Sequence, residues 1–378
     1  MNHGFIRVAT AIPSVKVADV AYNVEQIKRQ VLEAEEKDVE VIVFPELSLT
    51  GYTCQDLFTQ KILVDEAEQG IRDLLSFTSD KRVSVIVGVP VDTGKILLNC
   101  AAVISQGELL NIVPKRYLPN YSEFYEKRWF ASSQDLEAKE ITYAGVTREV
   151  HTSPVLFKTL SGISFGVEIC EDVWAPVPPS NHLALAGADL IFNLSSSNDI
   201  VGKHAYLKAL LANQSARTIC GYIYSSSGFG ESTQDIVYGG NAIIYENGRL
   251  LAESERFSFG PQMRIADIDI DMLHAERRKN TTFVNAQRNT RNLTVTTHHP
   301  SPVTRHPTPV TYTATSRRPP SSPPSTPCRR HAKRCSTYRW QASPNDCSTS
   351  AARPSCWASV EAWILRSHSS SACARSIS

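Results

Sequence analysis

Three side chains in this sequence stand where an enzyme would keep a nucleophile, a base and a cation. Cys170 closes the apolar run GISFGVEIC and is followed by EDVWAP. A thiol leaving a strand into a tight turn can expose its sulfur and aim the next backbone N–H groups at a bound carbonyl, as covalent catalysis with an oxyanion hole requires. A free thiol ionises near pH ~8.5, so it needs a base or a cation beside it. Glu46 ends the run VIVFPE, and a carboxylate at the end of a buried strand is costly unless paired or working. Lys115 follows LLNIVP; a cation there can hold an oxyanion and favour a thiolate. Singly, each has a plainer reading: a small buried hydrophobe, an ion-paired cap, a solvated lysine. Together, Glu, Lys and Cys end three strand patterns in that order, and open α/β sheets place their sites at such ends.

Those strands have to be held in place, and both periodicities are present. Short β-rich runs recur at 5–12, 39–45, 83–91, 100–105, 162–170, 189–195 and 221–227. Residues 22–37 space Val24, Ile27, Val31 and Leu32 along one helical face, and 203–219 place Leu207, Leu210 and Leu211 on another. Residues 62–76 are a third helix candidate, and 237–258 read as a hairpin closed around Glu246-Asn247-Gly248. Many strands with interspersed helices predict an α/β fold of sheets packed between helix layers.

The motifs FPELSLTGY, PKRYLPNYSEFYEKRWF and VEICEDVW resemble those of the nitrilase-type, or carbon–nitrogen hydrolase, superfamily with its Glu-Lys-Cys triad. The forms GYTCQDLF, KRYLPNYSEFYEKR and ICEDVW are similar to the glutaminase domain of glutamine-dependent NAD synthetases, over roughly residues 4–288. The resemblance implies an αββα sandwich. It implies that Cys170 attacks the side-chain amide carbon of glutamine and that Glu46 carries the thiol proton to the leaving ammonia. Lys115 and the N–H after Cys170 would hold the oxyanion, and Glu46 would then activate water against the γ-glutamyl thioester. The superfamily's second glutamate matches Glu126 best, with Glu123 as the rival. Substrate-holding positions carried over are Tyr52, Tyr121, Glu171, Ser197 and Lys203, the last where arginine is common. The amidase half needs no cofactor; ATP and magnesium belong to a synthetase module that makes NAD from nicotinate adenine dinucleotide. In family members ammonia passes through a tunnel, and the chains form homo-oligomers.

Composition sets the remaining bounds. Charged residues are 20% and hydrophobic residues 42%, enough for a sizeable core, and the net charge of +1 gives no reason to expect nucleic acid or a membrane surface. No run reaches the roughly 18 apolar residues of a membrane-spanning helix. The start MNHGFIRVATAIP lacks a basic segment followed by an apolar one, so the expected compartment is the cytoplasm. The averages hide a break near residue 290. Residues 291–378 hold none of the 18 glycines, 11 of the 21 prolines and 5 of the 9 cysteines. They carry 12 basic against 2 acidic residues, net +10, whereas residues 1–290 carry 27 against 36, net −9. The expected division is a carbon–nitrogen hydrolase domain at 1–290 and a disordered, non-native-looking Pro/Ser/Arg-rich tail at 291–378.

A synthetase module carries an SGG-x-DS phosphate loop, whose glycine N–H groups cradle pyrophosphate. A stretch without glycine cannot form one. Reading Cys356–Arg366 one nucleotide early changes the picture. The codon across Trp357 and Ala358 becomes glycine and that across Trp363 and Ile364 becomes aspartate, with no freedom. The codons between permit Leu-Gly-Val-Ser-Gly-Gly-Leu-Asp-Ser, so the tail reads as an out-of-frame remnant of a synthetase domain. Other readings are weaker. The GISFG run at 162–166 matches a serine-hydrolase elbow, but Ser164 opens a strand instead of ending one. The five tail cysteines lack Cys-x-x-Cys spacing, so no metal site is expected. A stand-alone amidase for another small amide, or a non-catalytic truncated product, are the alternative functions.

Overall fold

The computed structural model describes residues 4–137, 139–150, 155–289 and 295–300. In chain order the elements are β1 (Phe5–Ile12), α1 (Val20–Glu36), β2 (Val41–Val43), α2 (Lys61–Thr78), β3 (Ser84–Asp92), β4 (Leu97–Ser105) and β5 (Glu108–Pro114). A small hairpin follows, β6 (Glu140–Tyr143) and β7 (Val146–Glu149), then β8 (Val155–Lys158), β9 (Ser164–Ile169), α3 (Pro179–Leu185), β10 (Leu190–Ser195), α4 (Lys203–Thr218) and β11 (Gly221–Ser226). The remainder is β12 (Ala242–Glu246), β13 (Arg249–Glu253), β14 (Gln262–Asp269), α5 (Ile270–Lys279), α6 (Thr281–Asn289) and β15 (Thr296–His298).

Two large sheets result, in the orders β14-β1-β2-β3-β4-β5 and β13-β12-β11-β10-β9-β8-β15. Their central strands are parallel: β1 with β2 and β3, and β9 with β10 and β11. Parallel strands buried on both faces favour apolar residues on either side, which is why VIV, SVIVGVPVD and LIFNLS read as near-continuous apolar runs. Alternation then sorts the side chains. Ile6, Val8, Val41 and Val43 of one sheet meet Phe165, Val167, Leu190 and Phe192 of the other in a central layer. The opposite faces pack on helices: Ala9, Ile42 and Val85 with the Val24, Ile27 and Ile71 side of α1 and α2, and Ile191 and Tyr222 with Leu183 and Leu207 of α3 and α4. This is the four-layer αββα arrangement that the resemblance implied.

The helix faces are close to the sequence reading, with one correction. Val24, Ile27 and Val31 are buried, but Leu32 is 44% exposed, and Ala34 extends the buried stripe in its place. Spacings of three, four and three from Val24 run down one face, and Leu32 falls a full step to the side. Thr296–His298 pairs in parallel with Val155–Phe157, so the second sheet continues past residue 290. The tail from 301 onward lies outside the described residues.

Candidate active site

Each large sheet delivers its chemistry where strands end. β2 runs through Phe44 and Pro45 to Glu46, β5 ends at Pro114 before Lys115, and β9 ends at Ile169 before Cys170. The Glu46 turn is tied to the other sheet. Its N–H donates to the Ser195 carbonyl at 3.3 Å, and the Ser196 hydroxyl donates back to the Glu46 carbonyl at 3.3 Å. The turn also crosses β3 so closely that only glycine is accommodated there. A Cβ on Gly88 would lie 2.1 Å from the Leu47 nitrogen. Lys115 is anchored by its own N–H, which donates to the Asn99 carbonyl at 2.8 Å.

The side chains converge in the interior. Lys115 Nζ donates to Glu46 Oε1 at 2.6 Å and to Glu126 Oε1 and Oε2 at 2.7 and 2.9 Å. Asn99 Nδ2 donates to the same Glu46 oxygen at 2.7 Å, and Tyr52 Oη donates to Glu126 Oε1 at 2.8 Å. Glu46, Lys115 and Glu126 are each 1% exposed or less. Burying an ammonium costs several kcal/mol per ion and is tolerated only because both carboxylates accept from it. Burial works against the Lys115 cation, yet Glu126 and Glu46 outweigh it and hold its pKa well above the ordinary lysine value. Burial pushes Glu126 up to about 7, against the pull of Lys115.

Cys170 opens a short 3-10 turn, Cys170–Trp174, with its own φ at 45°. A left-handed cysteine is strained, and such strain persists where surrounding structure over-determines it. The thiol is buried, near Glu46, Lys115 and Glu126, with the Ser196 backbone N–H directed at it. Burial, then Glu46, raises its pKa well above the ordinary range.

Of the residues named for substrate, Tyr52 belongs to the buried cluster through Glu126, while Tyr121, Glu171, Ser197 and Lys203 form two hydrogen-bonded pairs at its rim. Tyr121 Oη donates to Glu171 Oε1 and Oε2 at 2.9 and 3.1 Å. Lys203 Nζ donates to Ser197 Oγ at 2.8 Å and also to Asn198 Oδ1, and Asn198 in turn donates to Glu123. Lys203 lies 5.0 Å above the Trp174 ring, and burial lowers its pKa. Of the two glutamates after Lys115, then, Glu126 joins the buried cluster and Glu123 joins the rim. A small cleft adjoins Tyr52 and Glu123 between Phe124, Trp129, Ile236 and Tyr238; Cys170 and Lys115 do not line it.

Sequence reasoning missed three polar residues here. Asn99 touches Glu46; its signal was a lone amide in LLNCAAVIS. Asp172, 2% exposed, accepts the N–H groups of Ile169, Arg116 and Tyr117 at 3.0, 3.2 and 2.9 Å. Its signal was its place in the first turn after the strand. Glu231 accepts the N–H groups of Tyr52 and Thr53 at 2.7 and 3.0 Å, and nothing in the sequence marked it. Among the described residues no group of three or more His, Cys, Asp or Glu is gathered that could hold a metal ion. Nor is any described helix long and apolar enough to cross a membrane.

Known proteins resemble this chain in sequence and fold. A glutamine-dependent NAD(+) synthetase from Mycobacterium tuberculosis is 39% identical over 295 residues, which is 78% of this chain but 43% of that protein. The chain thus spans less than half the length of that curated relative. The crystal structure of a glutamine-dependent NAD(+) synthetase from Cytophaga hutchinsonii superimposes with a TM-score of 0.62 at 28% identity, covering 70% of this chain and 43% of that one. An amidase of the nitrilase superfamily from Nesterenkonia, 17% identical, shares the fold with a TM-score of 0.58 over 73% of this chain and 95% of its own. The sequence profile of the carbon-nitrogen hydrolases matches residues 7–278, most of the chain and all four residues of the buried cluster, and the protein belongs to the carbon-nitrogen hydrolase family.

Proposed function

We propose that this chain hydrolyses the side-chain amide of glutamine through a cysteine thioester. The observation that carries the reading is the buried Glu46–Lys115–Glu126 cluster beside Cys170. Cys170 attacks the amide carbon while Glu46 takes the thiol proton. Lys115 and the N–H of Glu171 hold the oxyanion, and Glu126 fixes the ammonium that does so. Glu46 returns the proton to nitrogen, ammonia leaves, and Glu46 then draws a proton from water to clear the thioester. The rim supports an α-amino acid as substrate: Glu171 offers a carboxylate to an α-ammonium and Lys203 a cation to an α-carboxylate. The test is ammonia release from glutamine by the full chain beside Cys170→Ala. Release that vanishes in the variant is expected. Equal release from both proteins, or none from folded wild type, defeats the reading.

In the same proposal the ammonia serves ATP-dependent amidation of nicotinate adenine dinucleotide by a companion half, with ATP and magnesium bound there. The names of the relatives support this, as does the forced Gly and Asp codon pair in the alternative frame of Cys356–Arg366. Residues from about 290 onward are then an out-of-frame remnant of that half. Sequencing the gene checks it: an insertion or deletion near codon 290 is expected, and an intact frame with no in-phase SGG-x-DS coding region refutes it.

A further inference from the structure

Asn99 touches the base directly, yet the mechanism above gives it nothing to do. On β4, Leu98, Cys100 and Ala102 face the helix layer, while Ala101 and Val103 face the layer between the sheets. Alternation therefore sends Asn99 toward the inter-sheet layer, which also contains Cys170. Asn99 is 1% exposed. Its Nδ2 donates to Glu46 Oε1 at 2.7 Å, the oxygen that Lys115 also occupies at 2.6 Å. Two buried acceptors of this cluster have no protein partner among the described residues: Asn99 Oδ1 and Glu46 Oε2. Buried acceptors are nearly always satisfied, and leaving one empty is costly. Two of them on neighbouring side chains mark a place where a donor belongs.

A primary amide brings such a donor, with two N–H groups before attack and three once it becomes ammonia. We propose that Asn99 is a catalytic residue of the leaving-group side. Its Nδ2 saturates Glu46 Oε1, so that Oε2 is the oxygen that carries the proton. Its Oδ1 accepts an N–H of the departing nitrogen and turns that nitrogen's lone pair toward Oε2. The step balances without any co-reactant. The Cys170 sulfur forms its bond to the carbonyl carbon, the thiol proton passes through Glu46 to nitrogen, the C–N bond breaks, and neutral ammonia leaves. This inference rests on the amidase reading above.

An ester separates the two roles of Asn99, because its leaving oxygen carries no hydrogen for Oδ1 to accept. Asn99→Ala and Asn99→Ser in the full chain are assayed on glutamine and on glutamate γ-methyl ester, with thermal melting to establish that each protein is folded. Loss of one buried acceptor contact is expected to lower kcat/KM on glutamine by about 10- to 100-fold. The loss on the ester is expected to be several-fold smaller. Asn99→Asp, which keeps an acceptor but removes the donor to Glu46, is expected to lower both substrates alike. Equal losses on amide and ester in Asn99→Ala and Asn99→Ser overturn the proposal while leaving the amidase reading intact. A wild type inactive on glutamine overturns the glutamine reading. The comparison is then made with propionamide and methyl propionate, and a wild type that cleaves neither pair overturns both.

Discussion

Burial and the Glu46 carboxylate hold the Cys170 thiol protonated at neutral pH. The sulfur must therefore lose its proton as it attacks, which makes Glu46 a working base and not a spectator. Two other buried carboxyls set the pH range. Burial pushes both Glu126 and Asp172 up to about 7. Both do their work ionised, Glu126 by holding Lys115 and Asp172 by accepting three backbone N–H groups. Activity is therefore expected to fall as pH drops through about 7. The check is kcat/KM for glutamine from pH 5 to 9; a profile flat down to pH 5.5 contradicts it. Glu46, Lys115 and Cys170 were legible in the sequence because a charge or a thiol at the end of an apolar run is conspicuous. The resemblance favoured Glu126 over Glu123, but spacing by itself does not choose between them. They lie three residues apart in one irregular stretch, and only its path decides that Glu126 meets Lys115.

At the level of elements, the site is a set of strand ends held in register by polar ties and one close approach. Asp172 bridges the turn that carries Cys170 to the loop that carries Lys115, since Ile169, Arg116 and Tyr117 all donate to it. Gly88 lets β3 pass under the Glu46 turn. An added Cβ would also meet the Glu46 carbonyl carbon and the Pro45 oxygen at 2.7 Å, so the backbone has to move. Misplacement of a catalytic group by about 1 Å can cost about 100-fold. Gly88→Ala is thus expected to lower kcat by at least about tenfold and to lower the melting temperature. An unchanged kcat in the ammonia assay argues against this account of the turn. The strand runs were readable from composition, whereas β14 pairing with β1 was not. Phe5 and Asp269 are opposite each other in that ladder, and no local pattern reports a partner so far along the chain.

Across the whole molecule, the same buried carboxyls couple stability to pH in the opposite sense from activity. Glu126 and Asp172 bind protons more tightly when folded than at the unfolded values of about 4.3 and about 3.9. The stability they contribute is fully present below about pH 4 and is lost as pH rises through about 7. Burial shifts Glu168, Glu171 and Glu231 in the same direction. Residues 1–290 also carry a net charge of −9, so repulsion grows with pH. The melting temperature is expected to fall between pH 6 and 8 while activity rises; a melting temperature that rises over that range refutes the account. The break near residue 290 was legible from glycine and charge alone, but the sheet ignores it, because the bonds between β15 and β8 are made by main chain. Backbone pairing supplies the ladder, and His298 adds a ring stacked on Phe157 at 5.7 Å and a contact with Asn111 at 2.7 Å. A fragment cut at residue 290 bares that edge, and bare edges invite self-association. One cut after residue 300 keeps its own strand in place, so where a preparation is trimmed decides whether it stays monodisperse.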